Sequence, residues 1–168
     1  MSAERALFRS SLAATLCLWL VMSLWSMPKL DAFGGGPIFD LRFLGYDRTA
    51  AEALLRALGT EGRAFYLNAQ QWLDTAFPAV LALTLILWFR RTAGQGGGRV
   101  LSALGVLGAA LDYAENSLVR GMLASGSADG VEWASRMTLA KSAVGAVVLA
   151  AALLLVMAAA LRQFRGRT

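Results

Sequence analysis

Four apolar runs, each long enough to cross a bilayer, constrain this chain more than any other feature. A helix rises about 1.5 Å per residue, so roughly 20 apolar residues traverse a hydrocarbon core of about 30 Å. The runs cover residues 10–27, 65–89, 100–123 and 133–161. Pro28 follows the first, Arg90 and Arg91 stop the second, and Arg162 stops the fourth. Hydrophobic residues make up 57% of the 168 and charged ones only 16%, whereas soluble domains average roughly 45–50% apolar. The expected fold is therefore all-α: a four-helix transmembrane bundle forming a single domain over 1–168, with an external loop over 28–64. Arg5 and Arg9 precede an apolar stretch, as in a signal peptide. Leu24, Trp25 and Ser26 make a poor small-residue cleavage site, so a retained first helix is expected.

Direction follows from the flanking Lys and Arg. One side collects Arg5, Arg9, Arg90, Arg91, Arg99, Arg162, Arg165 and Arg167 against Glu4. The other holds Lys29, Arg42, Arg48, Arg56, Arg63 and Arg120 against Asp31, Asp40, Asp47, Glu52, Glu61, Asp129 and Glu132. The expectation is a multi-pass protein of a bacterial inner membrane with both termini cytoplasmic. The net charge of +5 is thus read as membrane orientation. No stripe of basic and aromatic residues suggests nucleic acid.

In the long loop, Gly34-Gly35-Gly36-Pro37 reads as a hinge. Thr49-Ala50-Ala51-Glu52 has the form of a capping box. It opens a short interfacial helix with Ala50, Leu54, Ala57 and Leu58 on its apolar face and Gly59 at its end. This segment is expected to be a connector on the outer surface of the bundle. Gly105, Gly108 and Ala109, and the stripe Ser142, Ala146, Ala150, are expected at helix contacts, because small residues let helices approach closely in lipid.

Some chemistry is excluded by composition. There is no histidine, so no Ser-His-Asp or Cys-His site can form. The lone Cys17 cannot form an internal disulfide and is expected to pack inside its apolar run. An all-oxygen metal site on Asp74, Asp112, Glu115 and Asn116 would suit calcium, magnesium or manganese. Lys and Arg compete for those carboxylates, so neither metal nor cofactor is expected.

The candidate site is a set of charges within the runs. Asp74 lies on the second helix, Asp112, Glu115 and Asn116 on the third, and Arg136 and Lys141 on the fourth. Such charges cost roughly 2.5–3.5 kcal/mol each on insertion scales and normally face the bundle interior. At about 1.5 Å per residue all of them fall in the outer half of the bilayer. Asp112, Glu115 and Asn116 share a face through i, i+3, i+4 spacing, and Gln70 and Gln71 lie near Asp74. Pro78 denies the Asp74 carbonyl its helical partner. Tyr66, Tyr113, Ser23 and Ser26 can bring hydroxyls to similar depth. The set reads either as an ion-pair network fixing helix register, or as a site with surplus acidity. Two coupled carboxylates can bind an ammonium group or serve as acid and base.

The stretches Leu44-Gly45-Tyr46-Asp47, Leu73-Asp74-Thr75-Ala76-Phe77-Pro78, Asp112-Tyr113-Ala114-Glu115-Asn116 and Thr138-Leu139-Ala140-Lys141 resemble an uncharacterised bacterial family of small four-helix integral membrane proteins. The resemblance covers 39–161 and implies the fold but no activity. In architecture alone, through intramembrane Asp and Glu, the chain is also similar to the sigma-2 receptor and sterol isomerase superfamily.

These observations point to a non-catalytic protein, either an accessory subunit of a membrane complex or a binder of a small amphipathic or lipid ligand, with Asp74, Asp112, Glu115, Asn116, Arg136 and Lys141 as its ligand-binding residues. Two alternatives stay open. One is an enzyme acting on a lipid or isoprenoid with Asp112 and Glu115 as acid and base. The other is an ion-coupled transporter, which requires a homo-oligomer.

Overall fold

The computed structural model describes residues 3–165, with side chains to residue 163. Arg165 and Arg167, counted above for orientation, therefore contribute no described side chain. The described residues are mostly helical, with no strand among them: α1 (Ala3–Val21), α2 (Met27–Gly34), α3 (Arg48–Phe65), α4 (Gln71–Thr92), α5 (Gly94–Ser125) and α6 (Val131–Arg165). Three segments are long and apolar enough to cross a membrane: Ala3–Gly34, Arg48–Thr92 and Val131–Gln163. α5 matches them in length, with 32 residues. Its interior carries Asp112, Glu115, Asn116 and Arg120, which is why it is less apolar than the sequence count of four runs suggested.

The long helices pack in chain order. α1 lies on α4, α4 on α5, and α5 on α6. Thr15 and Thr84 join hydroxyls 3.0 Å apart between α1 and α4, each also bonded within its own helix. α4 and α6 both lean on α5 rather than on each other. The packed apolar core sits at one end of the molecule. There Leu30 of α2, Ile38 and Phe39 of the loop, and Leu54, Leu55 and Leu58 of α3 meet Val119, Met122 and Leu123 of α5 and Ala134 of α6. At the other end α6 is bare: Leu149, Leu153, Leu154, Met157 and Leu161 are all more than half exposed.

Several local expectations need correction. Pro28 does not end the first helix. A π-helical turn over Met22–Ser26 precedes it, and Pro28 occupies the first turn of α2, where a missing N–H costs nothing. The N-cap of α3 is Asp47, whose carboxylate accepts from the Ala50 N–H at 2.7 Å. Thr49 is already inside the helix, and Glu52 pairs with Arg48 instead (3.7 Å). The buried face of α3 is Ala51, Leu54, Leu55, Leu58 and Gly62: Leu54 and Leu58 are buried as expected, Ala51 and Leu55 complete the face, and Ala57 is exposed. This face packs on α2, so the segment is part of the core and not only a surface connector. Cys17 is exposed, not packed. Ala146 and Ala150 are also exposed, because α6 turns Val144 and Val148 toward the interior in their place.

Gly59 does end a helix, and the chain restarts at once. Its φ of 59° and ψ of −164° fall in a region that only glycine adopts readily. The break lets 48–58 cap the core while the following turns run into α4. Gly59→Ala is expected to lower stability by about 1–3 kcal/mol, whereas Ala57→Ser on the exposed face leaves it nearly unchanged. Thermal unfolding of the purified protein in detergent checks both.

Candidate functional site

The site is built where α4, α5 and α6 meet the loop that follows α2. Lys141 on α6 points its ammonium at α5, 2.8 Å from Asp112 Oδ1 and in direct contact with Glu115 Oε2. Glu115 is fully buried. Its other oxygen accepts from the Thr138 hydroxyl at 2.5 Å, one turn before Lys141 on the same helix. Two ion pairs and a hydroxyl thus tie α5 to α6, with each partner at the i, i+3 spacing that places side chains on one face.

α4 joins through backbone as well as side chains. Pro78 leaves the Asp74 carbonyl without its helical donor, and the Asn116 side-chain amide donates to it at 3.2 Å. The Asp74 carboxylate accepts from Gln70 Nε2 at 2.8 Å, while its second oxygen, Oδ2, is buried without a hydrogen bond. Nearby, Arg120 Nε donates to Gln71 Oε1 (3.2 Å), and Tyr113 donates to the Thr75 carbonyl (2.7 Å).

A residue that sequence reading left among the loop charges completes the site. Asp40 sits on a single 3-10 turn, Phe39–Leu41, and accepts a hydrogen bond from Tyr66. One oxygen each from Asp40, Asp112 and Glu115 lies within 4.8 Å of the others. Two unit charges at that distance repel by about 3.5 kcal/mol at an effective dielectric of about 20. Lys141 offsets part of this repulsion. The loop is pinned in place by the Ser135 hydroxyl on α6, which accepts from the Tyr46 N–H at 2.9 Å. Gly45, with φ of 81°, passes so close to Ser135 that a Cβ there would lie 2.7 Å from its Oγ.

Of the residues singled out from sequence, Asp74, Asp112, Glu115, Asn116 and Lys141 come together. Arg136 does not. It is exposed, and its guanidinium lies over the Trp133 ring at 5.0 Å, because its position on α6 points away from α5. Ser26 is buried without a partner, and Ser23 lines a separate surface hollow beside Pro37. Asp40 and Thr138 were missed. The clue for Asp40 was its neighbours: Ile38 and Phe39 are too apolar for an exposed loop and are both buried. The clue for Thr138 was its place one turn from Lys141.

Below these charges runs a groove of about 410 Å³ between α4 and α6, floored by α5. Phe77, Pro78, Leu81 and Leu85 form one wall, Leu104, Gly105, Gly108 and Ala109 the floor, and Val144, Gly145, Val148 and Ala152 the other wall. Asp40, Phe43, Asp112 and Lys141 close its charged end. Of the small residues expected at helix contacts, Gly105, Gly108 and Ala109 line this groove, and a Cβ on Gly105 or Gly108 would meet Leu85 of α4 at 3.5 Å or Val144 of α6 at 3.7 Å. The three carboxylates are a donor set that a divalent ion could use, but the Lys141 ammonium already stands against two of them. Comparison with protein-family models, curated proteins and solved structures finds no match.

Removing Lys141 while keeping its partners leaves buried carboxylates uncompensated. Lys141→Met is expected to cost about 3–5 kcal/mol of stability. Adding Glu115→Gln to that variant should restore a measurable part of the loss. A double-mutant cycle on unfolding in detergent checks the coupling, and strictly additive effects would contradict the ion-pair geometry.

Proposed function

We propose that this is a multi-pass membrane protein, crossing a bacterial inner membrane four times with both termini in the cytoplasm, that binds a small amphipathic ligand without transforming it. One observation carries the reading: an apolar groove long enough for a hydrocarbon chain ends in a cluster of charges. Binding sites are typically concave and mostly apolar, with a few convergent polar groups, and this groove has that composition. In this reading α5 crosses with its charges turned toward α4 and α6, which shields them from lipid. The exposed apolar side chains of α6 face the acyl chains. The asymmetry of flanking arginines supports the direction.

An acid–base enzyme has less support. Glu115 is sealed from the groove and engaged by Thr138 and Lys141, so Asp112 alone of the proposed pair lines it.

Gly145 borders the groove, and a Cβ there meets nothing within 4 Å. Gly145→Phe should therefore fill the groove without disturbing the helices. The variant is expected to unfold like wild type yet bind dodecylamine, dodecanol and dodecanoate at least about ten-fold more weakly than wild type binds its preferred member. Native mass spectrometry or calorimetric titration in maltoside micelles checks this. Unchanged binding of all three would reject the groove as a ligand site. A fluorescent-protein fusion at the C-terminus should fluoresce and an alkaline phosphatase fusion there should be inactive if that end is cytoplasmic.

A further inference from the structure

We infer that the ligand is a single-chain amine, its ammonium seated between Asp40 and Asp112 and its chain lying along the groove. This rests on the reading above and specifies the ligand's chemistry.

The head group follows from charge and free valence. Asp40, Asp74, Asp112 and Glu115 gather four carboxylates around the Lys141 ammonium. Other cations of the surrounding elements are committed elsewhere, Arg42 to the Pro37 carbonyl, Arg120 to Gln71 and Arg136 to the face of Trp133. Asp40 accepts from Tyr66 through Oδ2 and Asp112 from Lys141 through Oδ1. Among the described residues, Asp40 Oδ1 and Asp112 Oδ2 receive no hydrogen bond, and both residues line the groove. Behind them Asp74, only 4% exposed, keeps Oδ2 unpartnered. One oxygen of Asp40 and one of Asp112 lie within 4.8 Å of each other, so a nitrogen about 2.8 Å from each carboxylate spans the gap between the two residues. An ammonium brings three donors and a positive charge. A carboxylate head would meet like charge, and a hydroxyl would leave the surplus charge uncompensated.

The chain follows from shape. From Asp112 to Leu104 the floor descends about 12 Å, and from Lys141 to Ala152 the wall descends about 16 Å at the helical rise. Two walls, one floor and the opening between α4 and α6 leave room for one hydrocarbon chain, and Gly105, Gly108 and Gly145 supply that room.

The test compares head groups on one chain. Dodecylamine, dodecanol and dodecanoate are titrated into the full-length protein in maltoside micelles at neutral pH. Dodecylamine should bind wild type about 10- to 100-fold more tightly than the other two, the range of one or two charge-assisted hydrogen bonds. Asp40→Asn should abolish that preference while leaving the Lys141 contacts intact. Equal or tighter binding of dodecanol or dodecanoate by wild type overturns the amine assignment, as does an unchanged preference in a folded Asp40→Asn variant. If Asp40→Asn proves unstable, the wild-type comparison decides by itself. Head-group indifference combined with loss of all binding in Gly145→Phe would refute only the amine. Indifference of Gly145→Phe would refute the groove as well.

Discussion

The contact of Lys141 with Asp112 and Glu115 organises the rest of this structure. A buried ion pair contributes little net stability over an apolar pair, but losing one partner is expensive. That asymmetry sets register: α5 and α6 can slide past each other only by separating charges in a medium that does not solvate them. Thr138 holds the remaining oxygen of Glu115, so the carboxylate has no second comfortable position. Through Asn116 and the carbonyl that Pro78 leaves free, the same level of α5 also holds α4. Three helices are thereby aligned at one height by polar groups, where apolar side chains alone would permit many alignments.

The alignment has a consequence for shape. Helices locked at one level, with glycine and alanine on the faces between them, do not close over one another farther down. α4 and α6 stay apart over α5, and the gap is the groove. The tightly packed apolar core lies at the opposite side of the charges, in the cap formed by α2, the loop and α3. The loop therefore does more than connect. It carries Asp40 into the site and is fastened to α6 through Tyr46 and Ser135. A charged layer between a dense cap and an open apolar groove is an arrangement suited to holding a molecule with one polar and one apolar end.

Much of this was legible in the residues because it depends on local pattern. The helical runs follow from apolar length, but their limits do not: α1 begins seven residues before the first run, and α5 six before the third. Asp112, Glu115 and Asn116 had to share a face once their helix was recognised, since spacing on a helix is geometry. The effect of Pro78 on Asp74 was legible for the same reason, although the donor that answers it was not. Arg136 was misjudged because depth along an apolar run says nothing about azimuth. It lies near Lys141 in height but on the side of α6 that faces away from α5. In the stripe of Ser142, Ala146 and Ala150 only Ser142 turns partly inward and the two alanines are exposed: a periodic face exists, but periodicity does not say which neighbour it meets.

The sequence by itself determined that this chain is helical, which stretches are apolar enough to cross a bilayer, and which charges lie within or beside them, because composition and period act over a few turns. The tertiary structure decided which of those charges meet. Asp40 is far from Asp112 and Glu115 along the chain and lies in a loop that no periodic rule can place. Its position depends on how Ile38 and Phe39 are buried against α3 and α5. The groove, likewise, is a property of three helices held apart at a common level, and no single segment contains it.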